Sequence, residues 1–172
     1  CVVITLLSDD NTGIVEQVSN IISQHNGSWL DSRMARLSGK FAGILNVSID
    51  SVDLASLSAA LNTLKGKGID IHITQENKHE SDTTSKQVNF ELMGADRQGI
   101  VHEISQALSA KKINIVDIST ECSSMPWSGE PMFSAKGKLG VPKALNIDEL
   151  SDQLDGIANQ LGLDISLTAQ LS

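Results

Sequence analysis

The chain has 172 residues, a length that allows one mid-sized domain or two small ones. Its formal net charge is −8, which argues against direct DNA binding because that needs a basic face to engage phosphates. Aromatic residues make up only 3% and tyrosine is absent, so a base-stacking platform for single-stranded nucleic acid is also disfavoured.

The two cysteines, Cys1 and Cys122, form no CxxC pair, and no disulfide framework can be derived from them. No apolar run is long enough to span a membrane, and no signal peptide is visible, so we expect a cytoplasmic protein. The chain begins at Cys1 rather than at methionine, so we expect that residues are missing or were removed. A lipid-modified N-terminal cysteine is a less favoured alternative.

The first half of the chain alternates strand-like and helix-like patterns. Residues that alternate with a period of two predict strands, and apolar residues three or four positions apart predict amphipathic helices. The predicted elements are a strand at 2–7, a helix from Ile14 that Gly27 ends, strands at 29–37 and 41–49, a helix that Asp53 caps, and a strand at 69–73.

A polar segment, Asn77 to Lys86, follows without any aliphatic residue and predicts a linker. The same order of patterns then recurs. The second set comprises a strand at 88–92, a helix from Ile100, strands at 116–120 and 133–139, a helix that Asp148 caps and Gly162 ends, and a strand at 163–167. An insertion at 123–131 distinguishes this copy. We therefore predict domains at 1–76 and 87–172, joined by a linker at 77–86.

Each half predicts an α+β domain with the order β-α-β-β-α-β, which is the ferredoxin-like arrangement. Several strands are apolar on one side only, so the helices should cover one face of an antiparallel sheet. The uncovered faces and the strand edges beside them favour a neighbour. Pairing of the two halves, or of two chains in a homodimer or higher oligomer, is the expected solution.

A related turn follows the first strand of each half. The turns are Asp10 to Val15 and Asp96 to Val101, each with the pattern Asp-x-x-Gly-Ile-Val. The glycine permits the chain reversal, and the acid lies near N–H groups at the helix start that it could cap. Such a turn also offers backbone donors to a carboxylate or phosphate. The residues alone leave both a structural cap and a ligand site open.

With this turn, each half resembles an ACT domain, a small regulatory module that commonly binds amino acids. Two such halves in tandem resemble the glycine cleavage system transcriptional repressor family through three segments. These are Asp-Ser-Arg-Met-Ala at 31–35, Phe-Ala-Gly-Ile at 41–44 and Ser-Gly-Glu-Pro-Met-Phe at 128–133. The resemblance implies a cytoplasmic protein without a DNA-binding motif, which responds to glycine and acts through a partner transcription factor. Serine is the other candidate effector.

The resemblance also implies a ligand position, because in amino-acid-binding ACT domains an Asn just before the second strand can hydrogen-bond the ligand. Asn114 matches that position and Ser28 replaces it in the first half; the usual proline before the turn glycine is replaced by Thr12 and Gln98. The first site is therefore expected to be weaker, altered or empty. The candidate ligand-binding residues are Asp10, Asn11, Gly13, Ile14 and Ser28, and Asp96, Arg97, Gly99, Ile100 and Asn114.

A bound amino acid would need complementary polar groups at these turns. The backbone N–H groups at 11–14 and 97–100 could bind its carboxylate, with Arg97 adding a charge. Asp96 or Asp10 could bind its ammonium group. Because glycine buries little apolar area, these polar groups must supply the affinity.

The sequence offers little for catalysis. The four histidines are scattered, His102-Glu103 lacks a second histidine at zinc-binding spacing, and Cys122 lies near no evident base. No Gly-x-Ser-x-Gly or Walker motif occurs. We therefore expect no catalytic residue, metal or cofactor, and keep a regulatory subunit of an amino-acid metabolic enzyme as the alternative to the transcriptional regulator. Trp29 is expected to pack in the core or between the domains, and Trp127 is a candidate anchor for a partner.

Overall fold

A computed structural model of the chain describes residues 1–75 and 85–168. The chain divides into two compact units, Cys1–Lys78 and His79–Ser172. Most of the predicted linker, 77–84, lies outside the described residues. Its last two residues, Ser85 and Lys86, are not linker but the start of a strand, because they pair in register with Pro142 and Val141.

The first unit has one four-stranded antiparallel sheet and two α-helices. Its elements are β1 (Val2–Asp9), α1 (Ile14–Gln24), β2 (Ser28–Leu37), β3 (Lys40–Ser48), α2 (Ser51–Asn62), a short 3-10 helix (Thr63–Lys67) and β4 (Ile69–Gln75). The strand order is β2-β3-β1-β4, so the first strand lies in the middle and β2 and β4 are edges. This is the ferredoxin-like topology that the alternating patterns predicted.

The second unit repeats this architecture. Its elements are β5 (Ser85–Ala95), α3 (Ile100–Ala110), β6 (Asn114–Ser124), β7 (Pro131–Pro142), α4 (Ile147–Leu161) and β8 (Leu163–Thr168). The strand order β6-β7-β5-β8 corresponds strand for strand to that of the first unit. The predicted tandem ferredoxin-like fold is therefore confirmed.

One face of each sheet carries the core. In the first unit, alternate residues of β1 and β3 are buried beneath the helices, including Ile4, Leu45 and Val47. The helices contribute their predicted stripes, for example Val18 of α1 and Leu57 of α2, both fully buried. The helices thus cover one face only, as the one-sided strands predicted, and the intervening strand residues lie on the other face.

Fine backbone details also recur. Gly13 and Gly99, each at the start of the first helix of its unit, have φ of 88° and 85°. The second strand of each unit has a bulge at the same place, between Trp29 and Asp31 and between Ile115 and Asp117. Such bulges increase the local twist and re-aim side chains, so the two sheets share their shape as well as their topology.

Two predicted helix starts were placed wrongly. Asp53 lies inside α2, whose first residue is Ser51, because its N–H donates to the Asp50 carbonyl, 3.1 Å away. Asp148 lies in the first turn of α4, because Asn146 caps that helix. The Asn146 Oδ1 accepts a hydrogen bond from the Glu149 N–H at 2.7 Å, and the Asn146 N–H donates to the Glu149 side chain. This reciprocal pair is a capping box, which satisfies more donors than Asp148 could.

Gly27 has a different role from the one expected. Helix α1 ends at Gln24, and Asn26 rather than Gly27 adopts the left-handed conformation that terminates it, with φ of 59°. Gly27 donates its N–H to the Ile22 carbonyl at 2.9 Å, and a Cβ there would lie 2.8 Å from the Ile22 Cγ2. The position therefore requires glycine for close packing.

We predict that Leu57→Ala lowers the free energy of unfolding by about 2–5 kcal/mol, because it leaves a cavity in the core of the first unit. Leu57 is 0% exposed. Val52, on the same helix, is 83% exposed, so Val52→Ala should change stability by no more than about 0.5 kcal/mol. Urea denaturation followed by circular dichroism measures both; equal effects would contradict this placement of α2.

Candidate ligand-binding turns

Each candidate turn is tied to the hairpin that joins the second and third strands of its unit. The Asp10 N–H donates to the Gly39 carbonyl, and the Asp96 N–H donates to the Pro131 carbonyl, both at 3.0 Å. The left-handed glycine then lets the helix begin immediately after the turn. The first N–H groups of a helix have no acceptor within it, so both turns present backbone donors at one end of the sheet.

The acids of the turns do not cap these helices. In the described part of the chain, neither Asp10 nor Asp96 accepts a hydrogen bond from an N–H group of the helix that follows. The Asp10 carboxylate instead forms an ion pair with Arg36 on β2, with 3.1 Å between Oδ1 and Nε. The capping role considered from the sequence is therefore not the one that the acids have.

Asp96 has a different neighbour from Asp10. Cys122 occupies on β6 the position that Arg36 occupies on β2, and its thiol lies near the Asp96 carboxylate. Desolvation, followed by the nearby Asp96 carboxylate, raises the pKa of the Cys122 thiol above its ordinary value. The thiol is therefore held protonated, and Asp96 has no basic side chain within ion-pair distance among the described residues.

The side chain of Arg97 is held by other groups and does not pair with Asp96. Its Nη2 lies 2.6 Å from the Glu103 Oε2 and 2.9 Å from the Leu161 carbonyl oxygen, and its Nε lies 3.2 Å from the same Glu103 oxygen. Glu103 is in the first turn of α3, and Leu161 is the last residue of α4. Arg97 thus links the start of one helix to the carbonyl end of another, where a cation is favoured.

Asn114 and Ser28 lie at the opposite end of the sheet from the turns. Asn114 pairs with Gly140, which also pairs with Gln87 near the start of β5, whereas Asp96 follows the end of that strand. Nine residues of extended strand span roughly 30 Å, so one small ligand within a single unit cannot contact both. Ser28, opposite Ser48, has the same relation to Asp10 in the first unit.

Asn114 lines a separate open depression of about 320 Å³, whose lining includes Ile113 and Ile115. Ser105 and Ser109 of α3 and Lys112 of the following turn line it together with Asn114. Ser105 Oγ already donates to the Val101 carbonyl at 2.8 Å. Two hydroxyls, an ammonium group and an amide suit a carboxylate, so Asn114 and the Asp96 turn are two distinct candidate positions.

Residues 1–75 and 85–168 contain no cluster of three or more His, Cys, Asp or Glu side chains that could hold a metal. None of their helices is long and apolar enough to cross a membrane. Trp29 packs against the core of the first unit as predicted, and Trp127, in the loop before β7, is 100% exposed and stays a candidate partner contact.

Two of these contacts were missed from the sequence. The Asp10–Arg36 and Arg97–Leu161 contacts join residues that are distant in the chain and meet only through strand pairing and helix packing. The sequence did contain a signal for the first contact. Arg36 and Cys122 hold equivalent positions in the two copies, which indicates that Asp10 and Asp96 have different neighbours.

The chain is similar to known proteins over part of its length. The ACT domain family matches residues 1–74. Over 79 residues the chain is 32% identical to a UPF0237 protein of Methanococcus maripaludis, a match that covers 44% of this chain and 88% of the relative.

Two solved structures share the fold over nearly the whole chain. An unknown protein from Galdieria sulphuraria has a TM-score of 0.78 at 26% identity, covering 96% of this chain and 95% of that one. A protein described as a candidate glycine cleavage system transcriptional repressor has a TM-score of 0.75 at 20% identity, covering 97% and 95%. At that identity, the second similarity concerns the fold alone.

We predict opposite effects for two glycine-to-alanine substitutions in the second unit. Gly99→Ala should cost about 1–2 kcal/mol, because the residue has φ of 85° and a Cβ is strained there. Gly156→Ala, inside α4, should stabilise by roughly 0.5–1 kcal/mol. A Cβ would meet nothing within 4 Å at either position, so crowding does not complicate the comparison. Denaturant unfolding measures both, and stabilisation by Gly99→Ala would contradict the turn geometry.

We also predict that Asp96→Asn speeds the alkylation of Cys122. Removing the carboxylate charge lowers the pKa of the thiol, so more thiolate is present at about pH 8. The rate with iodoacetamide, followed by mass spectrometry in a Cys1→Ser background, should rise several-fold. Asp10→Asn is the matched control and should leave the rate unchanged; equal rates in all three proteins would show that Asp96 does not face Cys122.

Proposed function

Because the chain belongs to the ACT-domain family, we propose that it is a regulatory protein that senses a small amino acid and acts by contacting a partner. The observation that carries this proposal is the Asp96 carboxylate. It lies beside the N-terminus of α3, without a basic partner among the described residues. An amino acid offers the matching pair of charges, an ammonium group for Asp96 and a carboxylate for the helix N–H groups.

The second turn is the better of the two for an ammonium group. Asp10 is already neutralised by Arg36 at 3.1 Å, so a ligand would have to displace that side chain. The thiol near Asp96 has a raised pKa, which favours its neutral form, so it offers Asp96 no positive charge, whereas a ligand ammonium group would form a charged hydrogen bond. This difference supports the expectation that the first site is weaker or empty.

The ligand carboxylate would be bound mainly by the backbone at 97–100. Arg97 is engaged by Glu103, so its positive charge is largely offset. The left-handed Gly99 and the first N–H groups of α3 then supply the donors, and the helix dipole favours the negative charge. Such a site recognises the backbone part of an amino acid and demands little apolar contact, which suits glycine or serine.

We propose further that the protein controls transcription of the glycine cleavage system through a DNA-binding partner. The resemblance of its segments at 31–35, 41–44 and 128–133 to that repressor family supports this, as does the shared fold of the second solved structure. The net charge of −8 fits a regulator that leaves DNA contact to its partner. Ligand binding would favour one conformation of the chain, which the partner distinguishes from the other.

Calorimetry with the purified chain tests the sensor, beginning with glycine and serine. We predict saturable binding. Asp96→Asn should raise the dissociation constant about 10-fold or more, because a charged hydrogen bond is lost. Asp10→Asn, the matched change in the first turn, should leave the affinity unchanged. Binding that depends on Asn114 but not on Asp96 would move the site to the depression beside Asn114, and no binding of any amino acid would refute the sensor.

The partner is tested separately by affinity capture with the full chain, with and without glycine, followed by mass spectrometry. Recovery of a transcription factor whose capture changes with glycine supports the transcriptional proposal. Recovery of an amino-acid metabolic enzyme instead would favour a regulatory subunit. The Asp96→Asn chain serves as the control bait, because its capture should no longer respond to glycine.

A further inference from the structure

The two units differ at the boundary between their two helices. In the first unit, polar side chains join the end of α1 to α2. His25 hydrogen-bonds Ser56 of α2, with 3.0 Å between Nδ1 and Oγ. Asn26, in the turn after α1, donates its side-chain N–H to the carboxylate of Asp53 on α2 at 3.4 Å. These contacts close the boundary between the two helices of the first unit.

The corresponding boundary in the second unit is open. A groove of about 420 Å³, called here the α3–α4 groove, lies between the two helices. In the described part of the chain, a side chain hydrogen-bonds across this boundary at one end only, where Arg97 donates to the Leu161 carbonyl at 2.9 Å. The groove has apolar walls and polar rims, formed by Gln106, Ala107 and Ala110 of α3 and by Ile157, Gln160 and Leu161 of α4.

A small residue on α3 leaves this groove open. Ala107 and Ile21 lie equally far along their helices from the left-handed glycines, Gly99 and Gly13. Ile21 packs against the core of the first unit, whereas alanine at the equivalent position lacks the side chain that would fill the groove. Both units nevertheless form sheets of the same topology. The fold therefore does not require an open groove.

Helix α4 also contains a glycine that its own packing does not require. Gly156 lies four residues before Gln160, so both are on the same face of α4, at the rim of the groove. A Cβ at Gly156 would meet nothing within 4 Å. Glycine inside a helix is less stable than alanine, but it allows another backbone to approach closely. This position is therefore suited to contact with another chain.

The α4 side of the groove is acidic. Helix α4 contains four acidic residues and no basic residue. Asp152 lies four residues before Gly156 and so continues the same rim. Its carboxylate has no basic side chain within ion-pair distance among residues 1–75 and 85–168. A molecule in the groove would therefore meet unpaired negative charge on this side.

One end of the groove is connected to the candidate ligand-binding turn. Arg97 directly follows Asp96, and the two groups that hold its side chain, Glu103 and Leu161, both line the groove. A ligand that changes the contacts of Arg97 would therefore change this end of the groove. This gives ligand binding a physical route to a surface that a partner could contact.

We propose that the α3–α4 groove binds an amphipathic helix of the partner protein, with its apolar face in the groove and basic side chains over α4. This inference rests on the proposed function, because the partner is the protein through which the regulator acts. Helices dock in apolar grooves through side chains spaced three, four and seven residues apart. Helix α4 is about 22 Å long, which suits a docked helix of roughly 14 residues.

Charge decides which occupant the groove favours. Basic side chains on the docked helix would pair with Asp152 and the other acids of α4, as in interfaces whose charges are complementary. An acidic helix would be repelled. A second copy of the chain is also disfavoured, because its own α4 would bring four further acids to this side.

Fluorescence anisotropy with labelled peptides tests the groove directly. The probe is a helix of about 14 residues with leucine on one face and lysine on the other, and the same pattern with glutamate is its control. We expect the full chain to bind the lysine probe saturably and not to bind the glutamate probe. Ala107→Ile, which fills the groove as Ile21 does, should raise the dissociation constant about 10-fold or more.

A matched substitution controls for the added side chain. Ala59→Ile makes the same change at an exposed position of α2 and should leave the dissociation constant unchanged. Circular dichroism checks that both variants are folded. No binding of the lysine probe by the wild-type chain, or equal binding by the wild type and Ala107→Ile, would overturn the proposal.

Reversal of one charge provides a second measurement. Asp152→Lys should raise the dissociation constant of the lysine probe several-fold and weaken its dependence on salt. Glu121→Lys makes the same change in net charge on β6 of the same unit. It should change the constant by no more than about two-fold at 0.15 M salt, because charges farther apart than the Debye length are screened. Equal effects of the two variants would contradict docking over α4.

Two further measurements separate the outcomes. Sedimentation velocity tests the other occupant: a dimer of the wild-type chain that Ala107→Ile dissociates would place a second copy in the groove and overturn the proposal. Calorimetry with glycine tests the sensor, and Ala107→Ile should retain any glycine binding because Ala107 is not part of the turn. A chain that binds the lysine probe but no amino acid would refute the sensor and leave the groove supported.

Discussion

Burial of one face of each four-stranded sheet beneath two helices is the constraint on which this structure depends. Alternating apolar residues of the strands, such as Ile4 and Leu45, meet the apolar stripes of the helices, such as Val18 and Leu57. Because both helices are used on one side, each sheet keeps an open face and two edge strands. The strand-to-helix turns are then held at one end of the sheet, where their backbone donors point away from the core.

The two copies share this scaffold and differ in charge. Gly13 and Gly99 make the same backbone turn, but Asp10 pairs with Arg36, whereas its counterpart Asp96 meets a neutral thiol. One difference on the neighbouring strand therefore gives Asp10 a basic partner and leaves Asp96 without one among the described residues. The open faces have diverged in the same way, with Ile44 in one unit and Lys136 in the other. Duplication of the fold thus allows the two units different roles.

The sequence by itself determined the elements, their order and the duplicated ferredoxin-like fold, because strand and helix periodicities are local and burial of one sheet face follows from them. It did not determine which residue caps α4. Asn146 and Asp148 are both residue types that cap helices, and only the geometry of Glu149 selects Asn146. From the sequence, Asn114 and the Asp96 turn were expected to form one candidate site, whereas strand length and register separate them by roughly 30 Å. The partners of Asp10 and Arg97 were decided only by tertiary structure, because strand pairing and helix packing bring together residues that the chain keeps apart.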